Sequence, residues 1–145
     1  MTARPDIDGG RVVGYGQSLG GGAIAELSRH RSLRALILQS TFTSLRGFAR
    51  RFWMPEFLVR DPFDNLSAVA AFPGPILVVH GRRDALIPVE QGVELARASS
   101  RAELRLYDCG HGCWGPAVPV LRDIHAFLEK NGVLPSAVAA APGGS

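Results

Sequence analysis

Three residue types that together carry out nucleophilic catalysis occur at separate points of this 145-residue chain. Ser18 lies in the stretch GQSLG, Asp84 in GRRDAL and His111 in DCGHGC. A serine hydroxyl is a poor nucleophile until an imidazole takes its proton, and a carboxylate must fix the tautomer of that imidazole and stabilise its charged form. We therefore predict a triad in which Ser18 attacks, His111 transfers the proton and Asp84 orients the histidine.

The glycines around Ser18 indicate how its hydroxyl would be presented. In a G-x-S-x-G elbow the serine lies on a strained strand-to-helix turn, and larger residues two positions to either side would collide with neighbouring backbone. A helix that begins at Ser18 would direct its first N–H groups at the site, and the N–H of Leu19 would be one oxyanion donor. The motif alone is weak, and its placement before Asp84 and His111 strengthens it.

Each of these residues also has a purely structural interpretation. Ser18 could be a helix N-cap, Asp84 a turn residue and His111 an ordinary loop histidine. Three other aspartates are weaker rivals for the acid: Asp61, Asp64 and Asp108. His80 is expected to be structural because it lies on a predicted strand, and the remaining two histidines fall on predicted helices as surface or boundary residues: His30 and His125.

A nucleotide-binding glycine loop is disfavoured by the spacing of the glycines. Counted from Gly14, the last position of G-x-G-x-x-G holds Leu19, and counted from Gly16 the middle glycine is replaced by Ser18. The chain also lacks a G-K-[ST] sequence. We therefore expect no cofactor.

The two cysteines, Cys109 and Cys113, flank His111. Two thiols and one imidazole leave zinc a ligand short, and no second Cys/His pair lies nearby in the sequence, so no metal site is predicted. A disulfide between the cysteines would close a very short loop and constrain little of the unfolded chain.

Composition and charge favour a soluble globular protein. The chain is 46% hydrophobic and 20% charged, with a net charge of +3. Its arginines are scattered, which argues against a nucleic-acid partner, and the tightest group, Arg46, Arg50 and Arg51, is expected on the solvated face of a helix. No apolar run is long enough for a membrane helix and the first residues lack a signal-peptide core, so we expect a cytoplasmic location unless a signal or anchor lies outside this sequence.

The elements that must position these side chains alternate along the chain. Strands are predicted at 11–15, 34–38, 75–80 and 102–107, and helices at 18–30, 64–70, 89–98 and 119–130. This alternation predicts an α/β three-layer sandwich with a parallel sheet of about four strands, whose chemistry lies at the carboxyl ends of the strands. One domain is expected over 1–134, with a disordered tail over 135–145.

The chain resembles the α/β-hydrolase superfamily, most closely its small lid-poor serine hydrolases, the branch that includes protein depalmitoylases. The stretches that carry the resemblance are RVVGYGQSLGGGAIAEL, LRALILQSTFTSL, PILVVHGRRDALIPVEQGVELA and LRLYDCGHG. The resemblance implies Ser18 as nucleophile, Asp84 as acid and His111 as base. It also implies hydrolysis of an ester, thioester or amide through an acyl-enzyme, without indicating which substrate.

The resemblance covers only the C-terminal portion of that fold, because the nucleophile strand is the first strand here and the fifth of about eight in the family. We therefore expect an exposed sheet edge at this strand, a missing second oxyanion donor and weakened activity. The alternative is an impaired fragment that pairs through this edge with a second copy or a complementing chain. Residues around Phe42 and the Phe52-Trp53 segment either line an acyl pocket or pack in the core.

Overall fold

The computed structural model describes residues 9–44, 63–113 and 118–135. Within these ranges a short 3-10 helix, Gly9–Arg11, precedes four strands and four α-helices. The strands are β1 (Val13–Gln17), β2 (Ala35–Gln39), β3 (Ile76–Gly81) and β4 (Ala102–Tyr107). The helices are α1 (Leu19–Leu27), α2 (Asn65–Ala71), α3 (Val89–Arg97) and α4 (Val120–Lys130).

The four strands form one parallel sheet in the order β1-β2-β3-β4. Pairing of β1 with β2 continues to Gln17, opposite Gln39, so β1 runs two residues beyond the predicted end at Tyr15. The expected strand boundary was wrong because glycines in a strand pair through their backbone like other residues. In a parallel sheet all four carboxyl ends lie along the same edge, which brings the segments after the strands together.

The core lies on both faces of the sheet, as expected for a three-layer arrangement. Every residue of β2 and of β3 is buried, which explains their continuous apolar character. Alternate residues of these strands pack on one side against α1, α2 and α3, through Ala25, Val69 and Leu95. The others pack on the opposite side against α4, through Phe127 and Leu128. The predicted α/β architecture is thus confirmed.

Several sequence predictions fall outside the described residues. These are the three arginines of the 46–51 segment, the Phe52-Trp53 pair, Asp61 and the tail from residue 136 onward. Among the helices that the structure describes, none has the length and apolar character needed to cross a membrane.

Candidate active site

Ser18 occupies the turn between β1 and α1, with φ 53° and ψ −123°. A non-glycine residue rarely takes a positive φ, and the strain persists only where the surroundings over-determine the conformation. The Ser18 N–H donates to the carbonyl of Gln39 at 2.9 Å, and the Ser18 carbonyl accepts from the Thr41 hydroxyl at 2.7 Å and the Gly21 N–H at 3.0 Å. These three hydrogen bonds hold the serine at the carboxyl edge of the sheet.

The two glycines of the predicted elbow have different environments. A Cβ atom on Gly16 would lie 2.3 Å from the carbonyl oxygen of Gly20, so no larger residue fits there. A Cβ atom on Gly20 would meet nothing within 4 Å among the described residues. The expectation of a steric requirement therefore holds at Gly16 and is wrong at Gly20. The second close approach is instead at Gly21, whose Cβ atom would lie 2.4 Å from the Thr41 hydroxyl oxygen.

Asp84 lies in the turn after β3, and its side chain is completely buried. Its Oδ1 accepts hydrogen bonds from the backbone N–H groups of Leu86 and Ile87, both at 2.9 Å. These two donors fix the carboxylate and leave Oδ2 directed at the loop after β4, where it meets His111.

His111 is hydrogen-bonded to this carboxylate, with 2.8 Å between its Nδ1 and Asp84 Oδ2. Because an ionised carboxylate only accepts, the proton of a neutral imidazole lies on Nδ1 and Nε2 carries the free lone pair. The imidazole is 28% exposed. The imidazole is therefore in the tautomer whose Nε2 could take a proton from a hydroxyl group.

The structure brings Asp84 and His111 together, but no hydrogen bond joins Ser18 Oγ to His111 among the described contacts. Nucleophile–base hydrogen bonds are often long in the absence of substrate and tighten in the complex. The N–H of Leu19, the predicted oxyanion donor, is the first of α1, and within the described part of the chain it pairs with no acceptor.

The rival aspartates that the structure describes have other partners. Asp108 is exposed and forms an ion pair with Arg83 at 2.7 Å. Asp64 caps α2 by accepting from the Ser67 N–H at 3.1 Å. Neither of these carboxylates is hydrogen-bonded to a histidine among the described residues.

The other described histidines differ in their surroundings. His80 is buried, and its Nε2 lies 2.9 Å from the Ile87 carbonyl oxygen and 3.6 Å from Asp84 Oδ2. It therefore supports the turn that carries Asp84. The other two lie at the surface beside glutamates. His125 lies beside Glu129 within α4, and His30 lies beside Glu26 in the turn after α1, because this helix ends at Leu27 and not at the predicted residue 30.

The loop that carries His111 is closed by a disulfide between Cys109 and Cys113. The structure also describes no group of three or more His, Cys, Asp or Glu side chains arranged to hold a metal ion in residues 9–44, 63–113 and 118–135.

Phe42 is buried and packs against α1 at Gly22, where an added Cβ atom would lie 3.2 Å from the ring. Phe42 therefore belongs to the core.

Sequence reasoning missed three buried polar residues that follow one another at the end of β2: Gln39, Ser40 and Thr41. Gln39 and Thr41 bond to the turn of Ser18, and Gln39 and Ser40 bond to the loop of His111. The signal was available, because a polar run directly after the apolar ALIL stretch needs buried partners.

The chain has relatives among curated protein sequences. The chain is 28% identical over 141 residues to an uncharacterized protein of Mycobacterium tuberculosis, covering 92% of this chain and 50% of that protein. It is 31% identical over 106 residues to the alpha/beta hydrolase domain-containing protein WAV2 of Arabidopsis thaliana, covering 61% of this chain and 34% of that protein. The chain thus spans half or less of the length of these curated relatives. No family model matches the chain.

Solved structures share the fold. The esterase domain of a Rhodothermus marinus protein superposes with a TM-score of 0.67 at 16% identity, covering 82% of this chain and 60% of that one. The Pyrococcus horikoshii acylaminoacyl peptidase gives a TM-score of 0.72 at 14% identity, covering 92% of this chain and 26% of that one. The described residues therefore have the α/β-hydrolase fold.

Proposed function

We propose that the protein is a serine hydrolase that cleaves a carboxylic ester, thioester or amide through an acyl-enzyme. The observation that carries the proposal is the 2.8 Å hydrogen bond between a fully buried Asp84 carboxylate and Nδ1 of His111. The strained Ser18 turn on the same sheet edge supports it, as does the α/β-hydrolase fold shared with esterases and a peptidase.

In the proposed reaction, Ser18 Oγ attacks the carbonyl carbon of the substrate while His111 Nε2 takes the hydroxyl proton. Asp84 stabilises the imidazolium, and the Leu19 N–H donates to the oxyanion of the tetrahedral intermediate. The intermediate collapses to the acyl-enzyme as His111 returns its proton to the leaving group. Water then attacks the acyl group with His111 as base, which releases the acid and restores Ser18.

The finer assignments are also proposals. The resemblance to the depalmitoylase branch makes S-acyl thioesters one substrate class to test beside simple esters. Among the described residues we assign one oxyanion donor, the N–H of Leu19. We propose that activity is weak where no second donor is present, because loss of one such donor lowers the rate by about 10²–10³-fold.

A fluorophosphonate probe tests the proposal, because it reacts covalently with an activated serine. We expect the wild-type chain to be labelled at Ser18 and Ser18→Ala to remain unlabelled. Asp84→Asn should slow labelling by up to about 10⁴-fold, since an amide favours the wrong histidine tautomer. Asp108→Asn is the matched control, because this exposed aspartate pairs with Arg83 and should leave labelling unchanged.

Absence of labelling in the wild-type chain, or undiminished labelling of Ser18→Ala, contradicts the hydrolase proposal. Equal slowing by Asp84→Asn and Asp108→Asn would show that the loss has no relation to the histidine.

A second candidate function is pairing through the outer edge of β1. β1 is an outer strand of the described sheet, Tyr15 in this strand is 42% exposed, and Val12 directly before it is 41% exposed. An outer strand of a sheet can act as a template for another strand. This candidate, in which the chain is catalytically impaired, predicts an assembly larger than the 15.5 kDa chain.

A further inference from the structure

Two consecutive buried residues at the end of β2 bind the loop that carries the candidate base. We call the disulfide-closed segment Cys109–Cys113 the histidine loop. Gln39 Nε2 donates a hydrogen bond to the carbonyl oxygen of Gly112, and the Gly112 N–H donates to Ser40 Oγ at 3.3 Å. Gly112 is the residue directly after His111. Both of its backbone polar groups are thus bonded to the side chains of Gln39, the last residue of β2, and Ser40, the residue after it.

The backbone of Ser40 explains how two neighbours reach the same residue. Successive side chains of an extended strand point to opposite faces. Ser40 has φ 46°, which interrupts this alternation directly after Gln39, and its N–H is bonded to the Val79 carbonyl at 2.8 Å. A positive φ at a serine is costly and persists where surrounding contacts impose it. Here it lets both side chains reach the histidine loop.

Gln39 also holds the opposite side of the site. Its backbone carbonyl accepts from the Ser18 N–H at 2.9 Å, and its side-chain Oε1 accepts from the Tyr15 hydroxyl at 2.8 Å. Partial burial of this hydroxyl raises the pKa of Tyr15 further above neutral pH, and the protonated hydroxyl is the donor. The amide is therefore oriented with its NH₂ group towards Gly112, and one residue contacts both the nucleophile turn and the histidine loop.

We propose that Gln39 and Ser40 are positioning residues that set the placement of His111 relative to Ser18 and Asp84. The effect of this positioning on the reaction rate rests on the proposed hydrolase function. Its effect on the position of the histidine loop does not. Loss of either contact frees a buried polar group of Gly112 and lets the histidine loop shift. Misplacement of a catalytic group by about 1 Å lowers rates by about 10²-fold.

The primary test follows the His111 Nδ1 proton by NMR on the full chain. Gln39→Met removes the amide at nearly constant size, and Ser40→Gly removes the hydroxyl while accepting a positive φ. We expect both to broaden this resonance or to raise its exchange rate relative to wild type, because the Asp84–His111 hydrogen bond is less firmly held. Gln91→Met is the matched control, because the described hydrogen bonds of the Gln91 side chain are to Thr43 and not to the histidine loop.

The second readout is the rate of fluorophosphonate labelling at saturating probe. Gln39→Met should slow the maximal labelling rate by about 10- to 100-fold while probe affinity changes by less than about twofold, because the contact acts on geometry and not on binding. Gln91→Met should leave both quantities unchanged. A general loss of stability would affect the two glutamine variants alike.

The outcomes separate this inference from the hydrolase proposal. Loss of the His111 signal with no labelling of the wild-type chain supports the positioning role and contradicts the hydrolase. A folded Gln39→Met protein with an unchanged signal overturns the positioning role, whatever the labelling. If Gln39→Met does not fold, the His111 Nδ1 proton signal and the labelling rate of Ser40→Gly decide instead.

Discussion

At the residue scale, three of the four described non-glycine residues with positive φ lie around one edge of the sheet. Ser18 and Ser40 follow β1 and β2, and Cys113 closes the histidine loop with φ 49°; the fourth, Phe63, precedes α2. Such conformations of non-glycine residues cost free energy and tend to cluster where geometry matters for function. Their position supports assigning the candidate site to these turns.

The two elbow glycines give the sharpest residue-scale prediction. We expect Gly16→Ala to lower the free energy of unfolding by about 1–3 kcal/mol or more, because its Cβ atom would lie 2.3 Å from the Gly20 carbonyl oxygen, a backbone atom that yields less easily than a side chain. Gly20→Ala, in the first turn of α1, should be neutral or stabilising by up to about 1 kcal/mol, since its Cβ enters open space. Chemical denaturation of both variants measures the difference, and an equal effect would contradict it.

At the element scale, side-chain hydrogen bonds fix helix α4 to strand β4 of the sheet. The Tyr107 hydroxyl of β4 donates to Asp123 of α4 at 2.6 Å, and Lys130 near the end of α4 reaches Glu103 of β4 at 2.8 Å. The hydrogen bond from Tyr107 lowers the pKa of Asp123, and the one from Lys130 lowers that of Glu103. These contacts join α4 to the strand from which the histidine loop starts.

The cap of α2 yields a prediction with a defined pH dependence. The hydrogen bond from the Ser67 hydroxyl, followed by that from its N–H, lowers the pKa of Asp64 from its ordinary value of 3.8. We expect Asp64→Ala to cost about 1 kcal/mol of unfolding free energy at neutral pH. A carboxyl whose pKa is lower in the folded chain stabilises fully above its unfolded value and loses this effect as the pH falls through the folded value.

Denaturation at pH 7 and at successively lower pH checks the Asp64 prediction. The difference between wild type and Asp64→Ala should narrow as the pH falls below about 4. Asp108→Ala is the control, because an exposed ion pair contributes little. A difference for Asp64→Ala that stays constant with pH would contradict the assignment of the stabilisation to the ionised cap.

At the scale of the whole molecule, the described sheet has two outer strands, β1 and β4. β4 is half-buried except at the exposed Arg105, and β1 alternates between buried and more exposed residues and leads into the turn of the candidate nucleophile. The edge candidate predicts that the wild-type chain sediments at up to twice its 15.5 kDa mass as its concentration rises.

A charge at the open edge tests this assembly. Val12→Lys should restore the single-chain mass, because a lysine at the start of an outer strand, here directly before β1, opposes strand pairing. Leu121→Lys is the matched control: Leu121 is an exposed apolar residue of α4 on another surface, and its replacement should leave the assembly intact. A wild-type chain that stays at the single-chain mass at every concentration argues against pairing through β1.

Much of the fold follows from local patterns in the sequence. The continuous apolar runs of β2 and β3 indicate strands buried on both faces, and the alternation of strands with helices indicates a parallel sheet whose carboxyl ends share an edge. The same rule predicts that Ser18, Asp84 and His111 lie on one edge of the sheet. Their catalytic roles stay predictions, and the Asp84–His111 contact supports them.

Other features depended on contacts between distant parts of the chain. The hydrogen bond to His111 distinguishes Asp84 from the rival aspartates. A Cβ atom has room at Gly20 and none at Gly16. The side chain of Gln39 bonds to Gly112, which lies 73 positions further along the sequence. Periodicity and motif spacing depend on neighbours a few positions apart, so they determine elements and their order. A hydrogen bond between two loops depends on where the sheet brings those loops, and only the packed tertiary structure determines that.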